Sequence, residues 1–224
     1  MKQAPPFRAV LFDWRGTLVD DPPDEWWVRA ALSRVGRTAA DAEVAAWCAA
    51  LAGAAEHPEV ADGEATCDCS FDRHREWSLG WFRLAGLDDE LARALYALDL
   101  EAASHPFYPD APFVLQTLHE RGCRVAVVSN IHFDFRPEFA AAGIDEYVDA
   151  FVLSFEHGIQ KPDPRMFELA LESLSVDAHE AVMVGDQVAL DAPAIRAGVA
   201  TWLLPGGGRA DQPRGLDRLL SLTG

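Results

Sequence analysis

Val10-Leu11-Phe12-Asp13-Trp14-Arg15-Gly16-Thr17-Leu18 carries an apolar run into an acid and then straight into a Gly-Thr turn. A short apolar run bounded by a turn signal reads as a buried strand. This one ends by presenting a carboxylate, which makes Asp13 a candidate nucleophile or metal ligand. A strand-end Asp that only caps a turn has the same local pattern, and this stretch alone leaves both readings open. Arg15 is the unusual residue of the turn.

Working outward, residues 7–13 form the first expected strand. Asp20-Asp21-Pro22-Pro23-Asp24 then breaks the pattern and supplies a helix start. From Glu25 to about Ala103 the apolar residues recur at helical spacing: Trp26, Val28 to Leu32 and Val35; Val44, Trp47 and Leu51; Phe71, Trp77, Trp81 and Phe82; Leu91, Leu95 and Leu98. That spacing predicts about four helices and no strand. His105-Pro106-Phe107-Tyr108-Pro109 closes the segment.

The rhythm then alternates. Helices are expected at Asp110–Arg121, Arg136–Ala142, Pro164–Leu174, Asp191–Ala197 and Gly215–Leu222, several stopped by glycine. Strands are expected at Val125–Val128, Val148–Leu153, Ala181–Val184 and Val199–Leu204. Strands alternating with helices predict an α/β fold built on a doubly wound parallel sheet. The expected organisation is an α/β core from residues 1–19 and 105–224, with a helical cap inserted at 20–104.

Right-handed crossovers place all strand C-termini on one edge, where ligands of such sheets bind. What the strands end with is therefore informative: Asp13, then Ser129-Asn130, then Gly185-Asp186, with Lys161 in a loop after another strand. Singly, each is ordinary. Asp191 reads as a helix N-cap, Ser129-Asn130 as a turn and Lys161-Pro162 as a loop charge. Together they assemble a site. If Asp13 attacks a phosphorus centre, two like charges about 4 Å apart repel by roughly 4 kcal/mol at an effective dielectric near 20. A divalent cation held by oxygen ligands offsets this. Asp186 and Asp191 supply further carboxylates for a shared Mg²⁺, Lys161 adds a positive charge, and Ser129 and Asn130 offer donors for phosphate oxygens. Attack would leave a phosphoryl group on Asp13.

Composition bounds the partners. The 224 residues suffice for one good core plus an insert, and half are hydrophobic. A net charge of −17 repels nucleic acid. No apolar run has the length of a membrane span, and Met1-Lys2-Gln3-Ala4-Pro5-Pro6 has no signal-like apolar region, so a cytoplasmic protein acting on a small molecule is expected. Oligomeric state is not legible. The only lysines are Lys2 and Lys161; arginine bias explains the scarcity but not why Lys161 was kept. Cys67-Asp68-Cys69 near His74 lacks the spacing of a zinc knuckle and any second cysteine pair, so Cys48, Cys67, Cys69 and Cys123 are expected as free thiols. Pro205-Gly206-Gly207-Gly208 is a turn and lacks the setting of a phosphate loop.

Four motifs, in order, resemble the haloacid dehalogenase-like hydrolase superfamily: Asp13-Trp14-Arg15-Gly16-Thr17-Leu18; Val127-Val128-Ser129-Asn130; Lys161-Pro162-Asp163-Pro164 with Phe167; and Gly185-Asp186 to Asp191. Ser154-Phe155-Glu156-His157-Gly158 also fits. The resemblance covers residues 7–19 and 105–224, and the insert lies where that family carries a helical cap. It implies that Asp13 is the nucleophile and a Mg²⁺ ligand, with the Arg15 backbone carbonyl as another. Thr17, Ser129 and Asn130 would contact the phosphoryl group, Lys161 would neutralise charge, Asp186 would bind Mg²⁺ directly and Asp191 would support it.

One departure matters. Most phosphatases of that family carry an acid/base Asp where this chain has Arg15. A guanidinium stays protonated, with a pKa above roughly 12, and cannot shuttle protons near neutral pH. A general acid/base is typically worth about 10²–10⁴-fold. Three readings stay open. The protein is a phosphatase that borrows its acid/base from His132, His74 or Glu76, each of which also reads as an ordinary surface or packing residue. It is a hydrolase of another bond. Or it is a weakly active or inactive metal- or phosphate-binding relative. Dehalogenases of the family replace the metal carboxylates that this chain keeps, and phosphonoacetaldehyde hydrolases need a cap lysine that it lacks. The arginine side chain is also a candidate clamp for a substrate carboxylate or phosphate. Trp26, Trp27, Trp47, Trp77 and Trp81 are expected to pack helices rather than line a pocket.

Overall fold

A computed structural model of the chain describes residues 7–101 and 104–223. The expected N-terminal stretch 1–6 and the last residues of the insert, Ala102 and Ala103, lie outside the described residues.

Strand β1 (Ala9–Phe12) sits at the centre of a five-stranded parallel sheet with β2 (Arg124–Ser129), β3 (Ala150–Leu153), β4 (Ala181–Gly185) and β5 (Ala200–Leu203), in the order β3-β2-β1-β4-β5. β1 is apolar at every position because both of its faces are covered. Val10 and Phe12 join one hydrophobic cluster, Leu11 and Ala9 the other, as the two-residue side-chain period requires. β2 and β4 divide their residues in the same way. Helix α6 (Ala111–Glu120) covers the first face through Ala111, Val114, Leu115 and Leu118. The longer helix of the other face, Pro164–Leu174, contributes Met166, Phe167, Ala170, Leu171 and Leu174. Burying each such large aliphatic or aromatic side chain contributes about 1.5–3 kcal/mol.

Residues 24–99 form the helical insert: α1 (Asp24–Arg34), α2 (Asp41–Ala55), α3 (Pro58–Glu64), α4 (Phe71–Leu84) and α5 (Asp89–Asp99). It has a hydrophobic cluster of its own around Val28, Leu32, Val44, Leu51, Phe82 and Leu91. There are five helices here rather than about four. α3 escaped the periodicity because it buries only Val60; His57 and Pro58 start it by local capping instead.

Other boundaries move. Helices α7 (Arg136–Ala141) and α9 (Pro164–Leu174) lie close to their expected ranges, but Ser154 opens a short helix, α8 (Ser154–His157), rather than ending a strand. The expected Asp191–Ala197 helix is instead α10 (Val188–Asp191) followed by a 3-10 turn, Ala192–Ala197. Pro193 lacks the N–H that an α-helix would need there. Asp191 thus closes α10 and is not the N-cap of an α-helix. The last expected helix is 3-10 over Leu216–Ser221.

Candidate active site

β1 pairs with β2 on one side and β4 on the other, so a crevice opens beyond its C-terminus. Asp13 follows β1 at this point, and its backbone N–H donates to the Val184 carbonyl at 2.9 Å. The Lys161 ammonium, itself 1 % exposed, donates to Asp13 Oδ1 at 2.6 Å and to Asp191 Oδ1 at 2.7 Å. Asp191 is fully buried, and its Oδ2 accepts from the Gln187 N–H at 3.0 Å. Thr17 Oγ1 donates to Asp13 Oδ2 at 3.4 Å.

Asp186 follows β4 and stands opposite. Its Oδ1 is buried without a hydrogen-bond partner. Asp13, Asp186 and Asp191 bring carboxylate oxygens within 4.8 Å of one another. Two glycines permit this closeness. A Cβ on Gly16 would fall 2.4 Å from Asp186 Oδ2, and Gly16 also holds a left-handed φ of 77°. A Cβ on Gly185 would fall 2.2 Å from Asp191 Oδ2.

Three carboxylates face the Lys161 ammonium and, on the Asp186 side, the Arg214 guanidinium, which donates to the Gly16 carbonyl at 2.7 Å, so negative charge still outnumbers positive. Burial raises the Asp13 carboxyl above its ordinary range; Lys161 opposes this, and Asp191 and Asp186 add to it. Burial and the neighbouring Asp191 raise Asp186 as well. Burial alone would lower Lys161, but Asp13 and Asp191 outweigh it and hold the ammonium protonated. An orphaned buried oxygen and converging hard carboxylates are the donor set a divalent cation of the Mg²⁺ type takes.

The other expected residues separate into two groups. Ser129 ends β2, is buried and faces the cavity over the site. The Asn130 amide is committed elsewhere: its Nδ2 donates to the Lys161 carbonyl at 2.9 Å, and its Oδ1 accepts from the Lys161 N–H at 2.7 Å. It braces the lysine loop. Arg15 leaves the nucleophile turn and donates from Nη2 to Asp99 Oδ1 of α5 at 2.7 Å. Burial lowers its pKa, but Asp99 more than offsets this and keeps it a cation.

The cavity, about 600 Å³, lies between the sheet edge and the insert. Trp27, Trp77 and Trp81 line it, contrary to the packing-only expectation. They do both: each indole N–H is tied to a backbone carbonyl, of Pro22, Val60 and Leu51 respectively, which leaves the ring to form wall. Trp26 is exposed, and Trp47 packs into the insert's cluster.

Two of the three proposed acid/base residues line the cavity, and Glu76 is exposed outside it. His132 is 1 % exposed and stacks on His74, with ring centroids 3.4 Å apart and planes within 5°. Asp68 Oδ1 lies 3.6 Å from His132 Nδ1 and 3.7 Å from His74 Nε2, and Asp99 Oδ2 lies 3.5 Å from His132 Nε2. Asp68, His74 and His132 are close enough to surround a metal. The stacking argues against it: an imidazole ligates in its own plane at about 2.0–2.1 Å, and one ion cannot lie in two parallel planes this far apart. All four cysteines are free, and burial raises the Cys67 thiol, so no thiolate pair supports zinc.

Asp68 and Asp99 were not expected as site residues, nor was Gln160, which ties the core to the insert. Gln160 Oε1 accepts from the Asp68 N–H at 3.0 Å, and its Nε2 donates to the Glu64 carbonyl at 2.9 Å. Gln160 adjoins Lys161, which was a usable signal. Nothing local marks Asp99.

A family model, haloacid dehalogenase-like hydrolase, matches residues 7–198. The chain belongs to this family. As a haloacid dehalogenase-like hydrolase it is 32% identical over 217 residues to a ribulose-1,5-bisphosphate 5-phosphatase of Halopiger xanaduensis, covering 94% of this chain and 90% of that protein. It is 38% identical over 117 residues to a phosphoserine phosphatase of Thermus thermophilus, where the match covers 51% of this chain and 46% of the relative, so the chain aligns with less than half of that protein. A solved dehalogenase in an intermediate complex superimposes over 99% of both chains with a TM-score of 0.71 at 22% identity, a likeness of fold alone. The protein is a hydrolase with phosphatase-named relatives. Among the described residues no helix is long and apolar enough to cross a membrane.

Proposed function

We propose that this protein hydrolyses the phosphate monoester of a small metabolite by way of a phosphoryl group carried on Asp13. One observation carries the reading: the Lys161 ammonium bridges Asp13 and Asp191 at 2.6 and 2.7 Å, with the unpartnered Asp186 carboxylate facing them. This is a cage of opposed charge around one nucleophilic oxygen. Asp13, Asp186 and the Arg15 backbone carbonyl would hold Mg²⁺, with Asp191 in support. When bound, the ion supplies positive charge that lets an anionic carboxylate approach an anionic ester.

Asp13 attacks phosphorus and the ester P–O bond breaks. Water then releases phosphate and regenerates the carboxylate. Lys161 keeps the attacking and supporting carboxylates in register, and Thr17 and Ser129 donate to the transferring group. Asn130 serves by fixing Lys161. The insert acts as a cap, excluding bulk water over the nucleophile and contributing Trp77, Trp81 and Tyr96 to the wall that selects the substrate. Residues 20–104 would be the cap, and 1–19 with 105–224 the core.

Purified protein assayed on p-nitrophenyl phosphate and acetyl phosphate should release phosphate with Mg²⁺ and stop with EDTA. Folded protein that turns over neither would sink the proposal. Metal-independent chloride release from 2-chloropropionate would replace it with carbon–halogen chemistry.

A further inference from the structure

Resting on that reading, the cavity over Asp13 must hold whatever the phosphate is attached to. Its volume, about 600 Å³, leaves room for an organic part well beyond the phosphoryl group. Two features of its lining, one apolar and one electrostatic, bear on what that part is.

The wall supplied by the insert is apolar and aromatic. Leu51 comes from α2, Trp77, Trp81 and Phe82 from α4, and Leu95 and Tyr96 from α5. They make one continuous surface. The rings of Trp77 and Trp81 lie 5.5 Å apart and those of Trp81 and Phe82 5.3 Å, and His74 bridges Trp77 to Tyr96 at 5.6 and 5.9 Å. Both indoles are half-buried. Their N–H groups are already spent on the Val60 and Leu51 carbonyls, at 2.8 and 2.9 Å, so neither indole has a donor left for a ligand. Such a wall favours apolar surface and leaves a hydroxyl set against it without a partner.

Charge adds the second constraint. Beyond Asp13 and Asp191 the cavity is lined by Asp21, Asp24, Glu64, Asp68 and Asp99. Among the described residues, the lysine and arginine side chains that line it are Lys161 and Arg15. Lys161 is committed to Asp13 and Asp191. Arg15 donates to Asp99 at 2.7 Å and is further offset by Asp21 and Asp68. Burial, with His132 next in effect, lowers His74 to about 4, so this imidazole is neutral near pH 7. A second phosphate or a carboxylate would therefore enter a surplus of like charge and meet no uncommitted cation among the described residues.

We propose that the substrate is a phosphate monoester of an apolar alcohol, with an organic part that is aromatic or of similar bulk and carries no further charge. This part seats against Trp77 and Trp81, with its phosphate over Asp13. The wall and the charge surplus act together: the first selects for the apolar group and the second against a doubly anionic ligand.

Competition in the Mg²⁺-dependent assay on p-nitrophenyl phosphate or acetyl phosphate tests this, because it reads affinity even when the competitor is not itself cleaved. The competitors are 2-phenylethyl phosphate, glycerol 3-phosphate, 3-phosphoglycerate and phosphocholine, all monoesters of primary alcohols. The phenylethyl ester should have an inhibition constant at least about tenfold below that of glycerol 3-phosphate. The constant of 3-phosphoglycerate should lie roughly threefold or more above it. Trp81→Ala should cut the advantage of the phenylethyl ester roughly fivefold; the comparison among competitors on the native protein needs no variant to fold. Equal constants for the phenylethyl and glycerol esters overturn the proposal and leave the phosphatase reading intact. So do tighter binding of 3-phosphoglycerate than of glycerol 3-phosphate, tighter binding of phosphocholine than of the phenylethyl ester, or a Trp81→Ala variant that weakens every competitor equally. Folded native protein that turns over neither assay substrate overturns both.

Discussion

Arg15, two residues past the nucleophile, spans to the last helix of the insert and donates to Asp99 at 2.7 Å, 84 residues further along the chain. Both side chains are more than two-thirds buried, at 30% and 18% exposure, so the pair is held away from the full screening of water. It joins the nucleophile turn to the wall of the cavity.

Restoring an acid at this position should therefore fail. Arg15→Asp would set a second carboxylate beside Asp99 and remove its partner. The expected result is lower turnover on alkyl phosphates, not higher. Arg15→Ala and Asp99→Asn should each reduce kcat/KM, and the double variant should be little worse than either, with a coupling of about 0.5–3 kcal/mol. A double-mutant cycle on kcat/KM and on unfolding free energy reads both.

Removing the Lys161 ammonium leaves Asp13 and Asp191 buried without compensation. Lys161→Met should destabilise the metal-free protein by about 3–5 kcal/mol. Excess Mg²⁺ should recover part of that loss without recovering turnover, because the lysine also orients the nucleophile. Urea unfolding with and without Mg²⁺ provides the comparison.

The unpartnered Asp186 oxygen makes metal binding visible without any assay of activity. Mg²⁺ at 100 times its dissociation constant should stabilise the fold by about 2.7 kcal/mol, a rise of roughly 5–10 °C in Tm for a chain of this size. Asp186→Asn should abolish most of this shift. Gly16→Ala should abolish it too, since the new Cβ would fall 2.4 Å from Asp186 Oδ2 at a φ of 77°.

Acid sensitivity should come from buried imidazoles. Burial lowers both His74 and His105 from 6.5 to about 4, with His132 next in effect on the first and Arg15 on the second. Between those values the unfolded chain binds protons that the folded chain refuses, so stability is full above pH 6.5 and falls as pH drops toward 4. Each group should contribute roughly 3 kcal/mol to that loss. With Mg²⁺ saturating, His105→Gln should shrink the fall by roughly its share, as measured by denaturant midpoints across this window.

The sheet was legible because its signals are local. β1, β2 and β4 are short apolar runs, each followed at once by a polar residue, and strand alternation makes every such end point to one edge. The positions of Asp13, Ser129 and Asp186 followed from that alone, whereas Lys161 lies in a loop beyond β3 and α8 and was marked only by its place in the order of motifs. The helical insert was legible as helix, but α3 was not, because one buried valine makes no period. The tryptophans were half read. Packing spacing and pocket lining look the same along a helix when one ring does both, as Trp77 and Trp81 do.

By itself, then, the sequence determined the parallel sheet, the order of its motifs and the family, since each rests on residue types within a few positions of a strand end. It also showed that Arg15 cannot shuttle a proton, a property of guanidinium in any fold. Only the tertiary structure decided what Arg15 does instead. Its partner Asp99, the stacked His74 and His132, and Asp68 between two buried cysteines come from the insert and from a loop of the core. Which face of one helix meets which loop is set by packing over long sequence separations, and helical periodicity carries no record of it.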